Sequence, residues 1–275
     1  MKRLVTGALA GVMALALGQA ADAGATQDRV TEKGEMVVAT NANWPPQSFL
    51  DDSNKLAGFD IDVAREIGKR LGVEVRFETP DWATMTGGRW SGRYDIGVGS
   101  VTPTKPRAQA IDFAGIYYYS PYVYVVNKDS TAQTVADLNG KKIGVETGTT
   151  SEDYINRVLE IDAPGLPPIE YKLEPGTVLT YADSMLPFDD LRLGDGVRVD
   201  AVIAPEQTAM NAIKNGYPVR IMEGEYAFRE PLVVIAEKGD DEWTAQIGEI
   251  IEEMKTDGTL GALTTQWYGR DYSTD

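Results

Sequence analysis

The sequence predicts an α/β protein with largely parallel sheets, and three observations carry that expectation. Short apolar runs of strand length alternate with stretches whose apolar residues recur at helical spacing, along almost the whole chain. Glycines and prolines punctuate the joints between them. No internal repeat or low-complexity linker interrupts the pattern, so alternating strands and helices are the simplest architecture.

The first residues stand apart. Lys2 and Arg3 precede an apolar run over residues 4–17, followed by small residues and Ala21-Asp22-Ala23. A positive start, a short apolar core and an A-x-A site describe a secretory signal peptide. Residues 1–23 are therefore expected to be removed, with cleavage after Ala23 or, alternatively, Ala20. The run is too short to span a bilayer comfortably.

Residues 36–40 read as a strand ending at Asn41-Ala42-Asn43-Trp44-Pro45-Pro46, where two prolines force an extended turn. Gly58 opens a helix in which Ile61, Ala64, Ile67, Gly68 and Leu71 share a face, and Gly72 caps it. Residues 73–77 alternate like a strand, and residues 95–99 and 123–127 read as two more. A short helix over 135–138 precedes a strand over 142–146, and a helix is expected from Gly148 to about Glu160. The three prolines within 161–171 mark a loop. A strand over 200–204 and a helix over 206–215 follow, then a strand over 232–237. Trp243, Ile247, Ile250, Ile251 and Met254 mark a long amphipathic helix, and Leu260, Leu263 and Trp267 a last one.

Composition removes several classes of function. The formal charge is -16, and loss of residues 1–23 takes away two cations and one anion, leaving -17. Such acidity argues against nucleic acid and anionic membrane surfaces as partners. There are no cysteines, so neither a disulfide nor a lipid-modified cysteine after the signal is available. There are no histidines either, which removes Ser-His-Asp and Cys-His catalysis and the usual zinc sites. No metal and no cofactor are expected.

In open α/β sheets ligands bind beyond the carboxyl ends of strands, which directs attention to the loops after Thr40, Gly99 and Glu146. Gly99-Ser100-Val101-Thr102 followed by Arg107 offers hydroxyls, backbone N–H groups and a planar guanidinium fork that suits a carboxylate. Taken alone it is also an ordinary turn with a solvated arginine. Gly148-Thr149-Thr150-Ser151 offers a tight turn and capping hydroxyls at a helix start, which favours an anion. By itself it reads more readily as a capped helix alone. The two motifs point donors at the same kind of group, and that convergence favours the binding reading. Trp44 and Trp82 stand in loops where an indole can stack on a ligand or cup a cation. The tyrosines at 117–119, 122 and 124 are expected to pack beneath a hinge.

These residues occur in a known order. Trp44-Pro45-Pro46, Gly58-Phe59-Asp60-Ile61-Asp62, the stretch from Asp95 through Arg107 to Asp112-Phe113, Asp137-Leu138-Asn139-Gly140-Lys141-Lys142, Gly148-Thr149-Thr150, Val199-Asp200-Ala201-Val202 and Trp267-Tyr268-Gly269 span nearly the whole mature chain. The chain thereby resembles the polar amino-acid family of extracellular solute-binding proteins, family 3, that serve ABC transporters. The resemblance implies a type II periplasmic-binding-protein fold, two Rossmann-like lobes joined by two hinge crossings. Lobe 1 would comprise residues 33–124 and 226–275, and lobe 2 residues 125–225. It implies a periplasmic monomer that passes a small-molecule carboxylate to an inner-membrane permease. It also implies that the ligand carboxylate meets Arg107, Thr102 and the N–H groups near Thr150, that Trp44 and Trp82 lie against the ligand, and that Ser100 helps hold an amino group.

The chain departs from the family at the nitrogen end. The family's ammonium-pairing aspartate, five residues after the one matching Asp200, is here Pro205, which has neither charge nor N–H. Asn41 stands where an acidic residue is common, and Glu146 where a neutral one is. An unpaired buried ammonium is heavily penalised, so a betaine-like, imino or modified amino acid is expected unless Glu146 or Glu206 substitutes. Two rival readings share the fold: a secreted dehydratase acting on cyclic carboxylates such as prephenate or arogenate, and a periplasmic partner or sensor protein without a transport role.

Overall fold

The computed structural model describes residues 25–163 and 165–274. The expected signal peptide lies outside the described residues. Helix α1 (Ala25–Lys33) buries Val30 and leads into strand β1 (Glu35–Ala39). The Pro-Pro turn joins β2 (Asn43–Trp44) to β3 (Ser48–Leu50), which pairs in turn with β4 (Leu56–Ala57) in a small antiparallel sheet. Helix α2 (Phe59–Leu71) ends at Gly72, which takes the left-handed conformation a helix terminator needs. Strand β5 (Glu74–Glu78), the short helix α3 (Trp82–Thr86), β6 (Ile96–Val101) and the long β7 (Ile111–Asn127) follow. Next come β8 (Lys142–Glu146), α4 (Thr150–Ile155), β9 (Thr177–Tyr181), α5 (Leu186–Leu191), β10 (Ala201–Pro205) and α6 (Glu206–Lys214). A second long strand, β11 (Val219–Glu237), leads back to α7 (Asp241–Thr256) and α8 (Thr259–Tyr268).

The large sheet has eight strands in the order β5-β1-β6-β11-β7-β10-β8-β9. The pairs β5-β1-β6 and β10-β8-β9 are parallel, as the sequence predicts. The centre is antiparallel, because β7 and β11 pair with each other along their length and run from one half of the sheet into the other.

Those two strands correct the sequence reading, which recognised only their ends, 123–127 and 232–237. The intervening stretches contain Pro121, Gly224 and Pro231, residues that normally break strands. Here Pro121 faces Arg229 and Pro231 faces Tyr119, inside a ladder whose register shifts repeatedly between Ile221 and Ile235. Such irregularities bend and twist a strand pair, which lets one ribbon serve both halves.

A second correction concerns α4, expected to reach Glu160. It stops at Ile155 because Arg157 turns left-handed and Val158 N–H closes back on the Asp153 carbonyl. A helix stop of this kind usually carries glycine, and Arg157 offers no such local signal.

Side chains along a strand alternate between faces, and the core follows. Tyr122, Tyr124 and Val126 pack with α4 residues on one face, and Val123 and Val125 pack with Phe188, Leu191 and Ala209 on the other. In the other half Val38, Ile96 and Val98 meet α2, α7 and α8, while Ala39, Val101 and Ile235 meet Met85 and Trp90. Both halves therefore carry apolar layers on both sheet faces.

Gly58 holds the Trp-Pro-Pro turn in place. Its φ is 128°, and a Cβ there would lie 2.2 Å from the Gln47 carbonyl oxygen. Neither the backbone conformation nor the space admits a side chain. Gly58→Ala is expected to lower unfolding free energy by about 3 kcal/mol or more, as overpacking and forced φ act together. Urea denaturation measures it, and a loss below about 1 kcal/mol would show that the turn can relax.

Candidate functional site

The carboxyl ends of β1, β6 and β8 converge where the two halves meet. Beyond β6 the chain turns through Thr102 and Thr104, both buried, and brings Arg107 back toward the opposite half. Arg107 Nη1 donates to the Thr102 carbonyl at 3.0 Å and Nη2 to the Gly148 carbonyl at 3.2 Å. Its guanidinium also lies 5.2 Å from the ring centroid of Trp82, a cation–π contact. Burial pushes the Arg107 pKa down, and the carboxylates of Glu230 and Asp153 push it back.

Further contacts close the two halves on each other. Trp82 Nε1 donates to the Gly148 carbonyl at 3.1 Å and Trp44 Nε1 to Thr208 Oγ1 at 3.3 Å. The rings of Trp44 and Trp82 meet edge-on with centroids 5.8 Å apart. The Asp162 N–H reaches the Pro103 carbonyl at 2.7 Å, and Lys105 N–H the Glu160 carbonyl at 3.1 Å.

Beside the tryptophans lies a pocket of about 390 Å³, walled by Asn41, Asp81 and Trp82 from one half and by Glu146 and Asp183 from the other. Burial, reinforced by the nearby Asp183 charge, lifts the Glu146 pKa to about 8. Asp183 Oδ1 accepts from the backbone of Met185 and Leu186, and Asp81 caps α3 by accepting from Thr84.

Behind Arg107, on β11, Glu230 is 2% exposed. Burial raises its pKa to about 7, a rise tempered by the Thr150 and Thr102 hydroxyls, by the Arg107 charge and by Tyr122. Glu230 Oε2 is buried with no hydrogen-bond partner. Thus Thr102, Arg107 and Thr150, three residues singled out from the sequence, all face one carboxyl that the sequence did not single out.

Several residues chosen from the sequence are engaged elsewhere. Ser100 has φ 52° and directs its hydroxyl inward, donating to Asp60 at 3.0 Å and accepting from Tyr118 at 2.8 Å. Tyr117 donates to Asp60 as well, at 2.7 Å, and accepts from the Ser100 N–H. Asp60 is fully buried and its pKa rises to about 7, chiefly through desolvation. Tyr117 and Tyr118, two of the tyrosines expected beneath a hinge, therefore brace the loop after β6. Gly99 is glycine for packing, since a Cβ there would meet Met85 Cε at 2.9 Å. The Thr149 hydroxyl bonds the Glu146 carbonyl and Ser151. Gly148 N–H is taken by Glu152 Oε2 at 2.6 Å, and α4 has six residues, so the expected helix-start anion site is largely answered from within the loop. Pro205 is buried at the β10–α6 junction opposite Tyr122. Glu206 accepts from the Tyr272 hydroxyl at 2.8 Å.

The sequence signal for Glu230 was faint: one acid between Arg229 and the apolar run from Pro231 to Ala236, ahead of the point where a strand was expected to start. Asp183 lies in a stretch without periodicity and carried no signal.

Two α/β halves joined by a pair of long strands, with polar residues converging between them, define the type II periplasmic-binding architecture, and known structures agree. An ancestral arginine-binding protein solved with arginine superposes at a TM-score of 0.71 with 32% identity, over 86% of this chain and 99% of that one. An ancestral amino-acid-binding protein, AncCDT-1, described as a precursor of cyclohexadienyl dehydratase, gives 0.74 with 28% identity over 88% and 99%. The L-cystine-binding protein TcyJ of Escherichia coli K12 is 32% identical over 272 residues, covering 96% of each chain. Residues 36–270 match the bacterial extracellular solute-binding proteins, family 3. The chain belongs to that family, and its relatives' solute binding supports the same kind of role. Among the described residues no helix is long and apolar enough to cross a membrane.

Proposed function

We propose that the protein captures a small amino-acid-like carboxylate between its halves and delivers it to an inner-membrane ABC permease. It works as a monomer in the periplasm after loss of residues 1–23. Residues 33–124 with 226–275 form one lobe and 125–225 the other, and the two close by rotation about β7 and β11. The observation that carries the reading is Arg107, held by carbonyls from both halves. Those bonds occupy two of the five N–H donors of a guanidinium, leaving a fork for a carboxylate oxygen pair. Thr102, whose carbonyl Arg107 holds, and Thr150 supply hydroxyls against the neighbouring Glu230. A ligand touching both halves binds the closed form better than the open one, and that difference drives closure.

Arginine- and cystine-binding relatives support an amino-acid-like cargo. The pocket walled by Asp81, Glu146 and Asp183 adds room for a further cationic group, whose charge would favour the ionised form of Glu146. A thermal-shift screen against amino acids, betaines and small organic acids tests the proposal. Ligand at a hundred times its Kd stabilises by about 2.7 kcal/mol, which raises Tm by roughly 5 °C or more in a chain of this size. No shift across the whole panel would overturn it.

The dehydratase reading keeps one supporting observation, a Glu146 carboxyl whose pKa of about 8 leaves it largely protonated at neutral pH, as a general acid requires. Incubation with prephenate followed by ultraviolet absorbance decides: turnover lost in Glu146→Gln would establish it, and an unchanged spectrum would dismiss it.

A further inference from the structure

We propose that Glu230 pairs with the cationic nitrogen of the ligand, so that the cargo is a zwitterion whose N–H-bearing ammonium lies beside its carboxylate. The proposal rests on the solute-binding reading of the cleft and names the class of solute.

The first ground is a buried carboxyl with one oxygen left unbonded, although Thr150, Thr102 and Tyr122 surround it. Glu230 is 2% exposed and its Oε2 has no hydrogen bond. Native proteins rarely leave a buried carboxyl oxygen unsatisfied, because the desolvation loss is large. Such a group at the meeting point of two halves is suited to an external donor.

The second ground is register. Glu230 lies opposite Ser120 and Phe228 opposite Tyr122 in the β11–β7 pair, and Tyr122 lies opposite Pro205 in the β7–β10 pair. Directly opposed residues in antiparallel strands share a face. Pro205 and Glu230 therefore stand on the same face of the sheet, about two strand spacings across and two residues along, roughly 12 Å apart. The negative charge that Pro205 lacks is present across the same surface, on a longer side chain.

The third ground is charge arrangement. Arg107 and Glu230 feel each other's charge, yet Arg107 directs its Nη1 and Nη2 bonds to the Thr102 and Gly148 carbonyls. A guanidinium and a carboxylate that act on each other's charge without forming an ion pair are the complement of a zwitterion. The ligand carboxylate goes to Arg107 and the ammonium to Glu230, with Thr102 and Thr150 between them. A quaternary nitrogen, having no N–H to donate, would leave Oε2 unsatisfied.

Calorimetric titration of the purified protein with L-arginine and L-cystine tests this, each set against its des-amino counterpart, 5-guanidinopentanoate and 3,3′-dithiodipropionate. The wild type should bind at least one of the two amino acids about thirtyfold or more tighter than its des-amino form. Glu230→Gln should remove most of that preference, weakening the amino acid while leaving the des-amino acid unchanged or tighter. Glu230→Asp should restore part of it, and the ligand-free Tm of Glu230→Gln should not fall. A merely structural Glu230 would weaken both ligands alike, and that result overturns the proposal. So does a Glu230→Gln protein that keeps the full preference, or a wild type that favours the des-amino acids or glycine betaine. If all four probes fail on the wild type the zwitterion assignment falls, and the broader thermal-shift panel shows separately whether solute binding falls with it.

Discussion

Arg107→Ala is expected to weaken ligand binding by about a hundredfold or more while the protein still folds. Removing the charged partner of a buried carboxylate typically takes away about 2–5 kcal/mol, and Arg107 also ties the halves together. Its Nη2 bond to Gly148 and its position over Trp82 both reach across the cleft. The variant should therefore lose affinity twice over, through the ligand contact and through a weaker closed state. Arg107→Lys separates the two effects. Lysine keeps the charge but not the planar fork, so an intermediate affinity is expected. Titration of each variant with the best ligand from the thermal-shift panel measures the loss, and binding within threefold of wild type would remove Arg107 from the site.

Stability of the ligand-free protein is expected to rise as pH falls from about 8 to 6. Three carboxyls have folded-state pKa values above their unfolded ones: Asp60 at about 7 against 3.8, Glu230 at about 7 against 4.5, and Glu146 at about 8 against 4.5. Between those limits the folded protein holds protons that the unfolded chain has released. Folding then takes up protons, and the stability present below the unfolded pKa is lost as pH rises through the folded one. Each group contributes a slope of up to about 1.4 kcal/mol per pH unit in its window. The opposite groups act at the acid end. Asp257, held near 2 by Thr259 and Arg70, and Asp81, Asp137 and Asp271, held low by hydrogen bonds, stabilise the fold above their unfolded pKa and lose that as pH falls. The optimum should lie between about pH 4.5 and 6. A net charge of -16 adds repulsion at higher pH, so the wild-type curve alone cannot separate these causes. Asp60→Asn does, because the amide oxygen still accepts from Tyr117 and Ser100 while the proton is gone. Urea denaturation at pH 5.5, 7 and 8.5 should show a flatter arm for this variant, and identical slopes would refute the Asp60 contribution.

The legible and illegible parts of the molecule differ in physical kind. Helix α2 could be bounded from its apolar spacing and Gly72, because amphipathic period and left-handed caps are local properties. Strands β1, β5, β8 and β10 were found within a residue or two for the same reason. The long strands β7 and β11 were seen only at their ends, since Pro121 and Pro231 are tolerated by an irregular ladder formed with a partner about a hundred residues away. At the candidate site the sequence picked out Arg107, Thr102 and Thr150 by residue type and by position after strands. It assigned Ser100 a role toward the ligand that its hydroxyl, turned onto Asp60 and Tyr118, does not serve.

The sequence by itself determined that alternating strands and helices would form an α/β body and that an arginine with flanking hydroxyls would stand at the carboxyl ends of strands. Periodicity, turn chemistry and charge are written residue by residue, so they need no knowledge of distant neighbours. Only the tertiary structure decided which polar groups come together between the two halves. The direction of a strand side chain follows from register against its partners, and its protonation follows from what buries it. That is why Glu230, one acid at the edge of an apolar run, emerges among Thr102, Arg107 and Thr150, while Ser100, in the more suggestive motif, turns into the core.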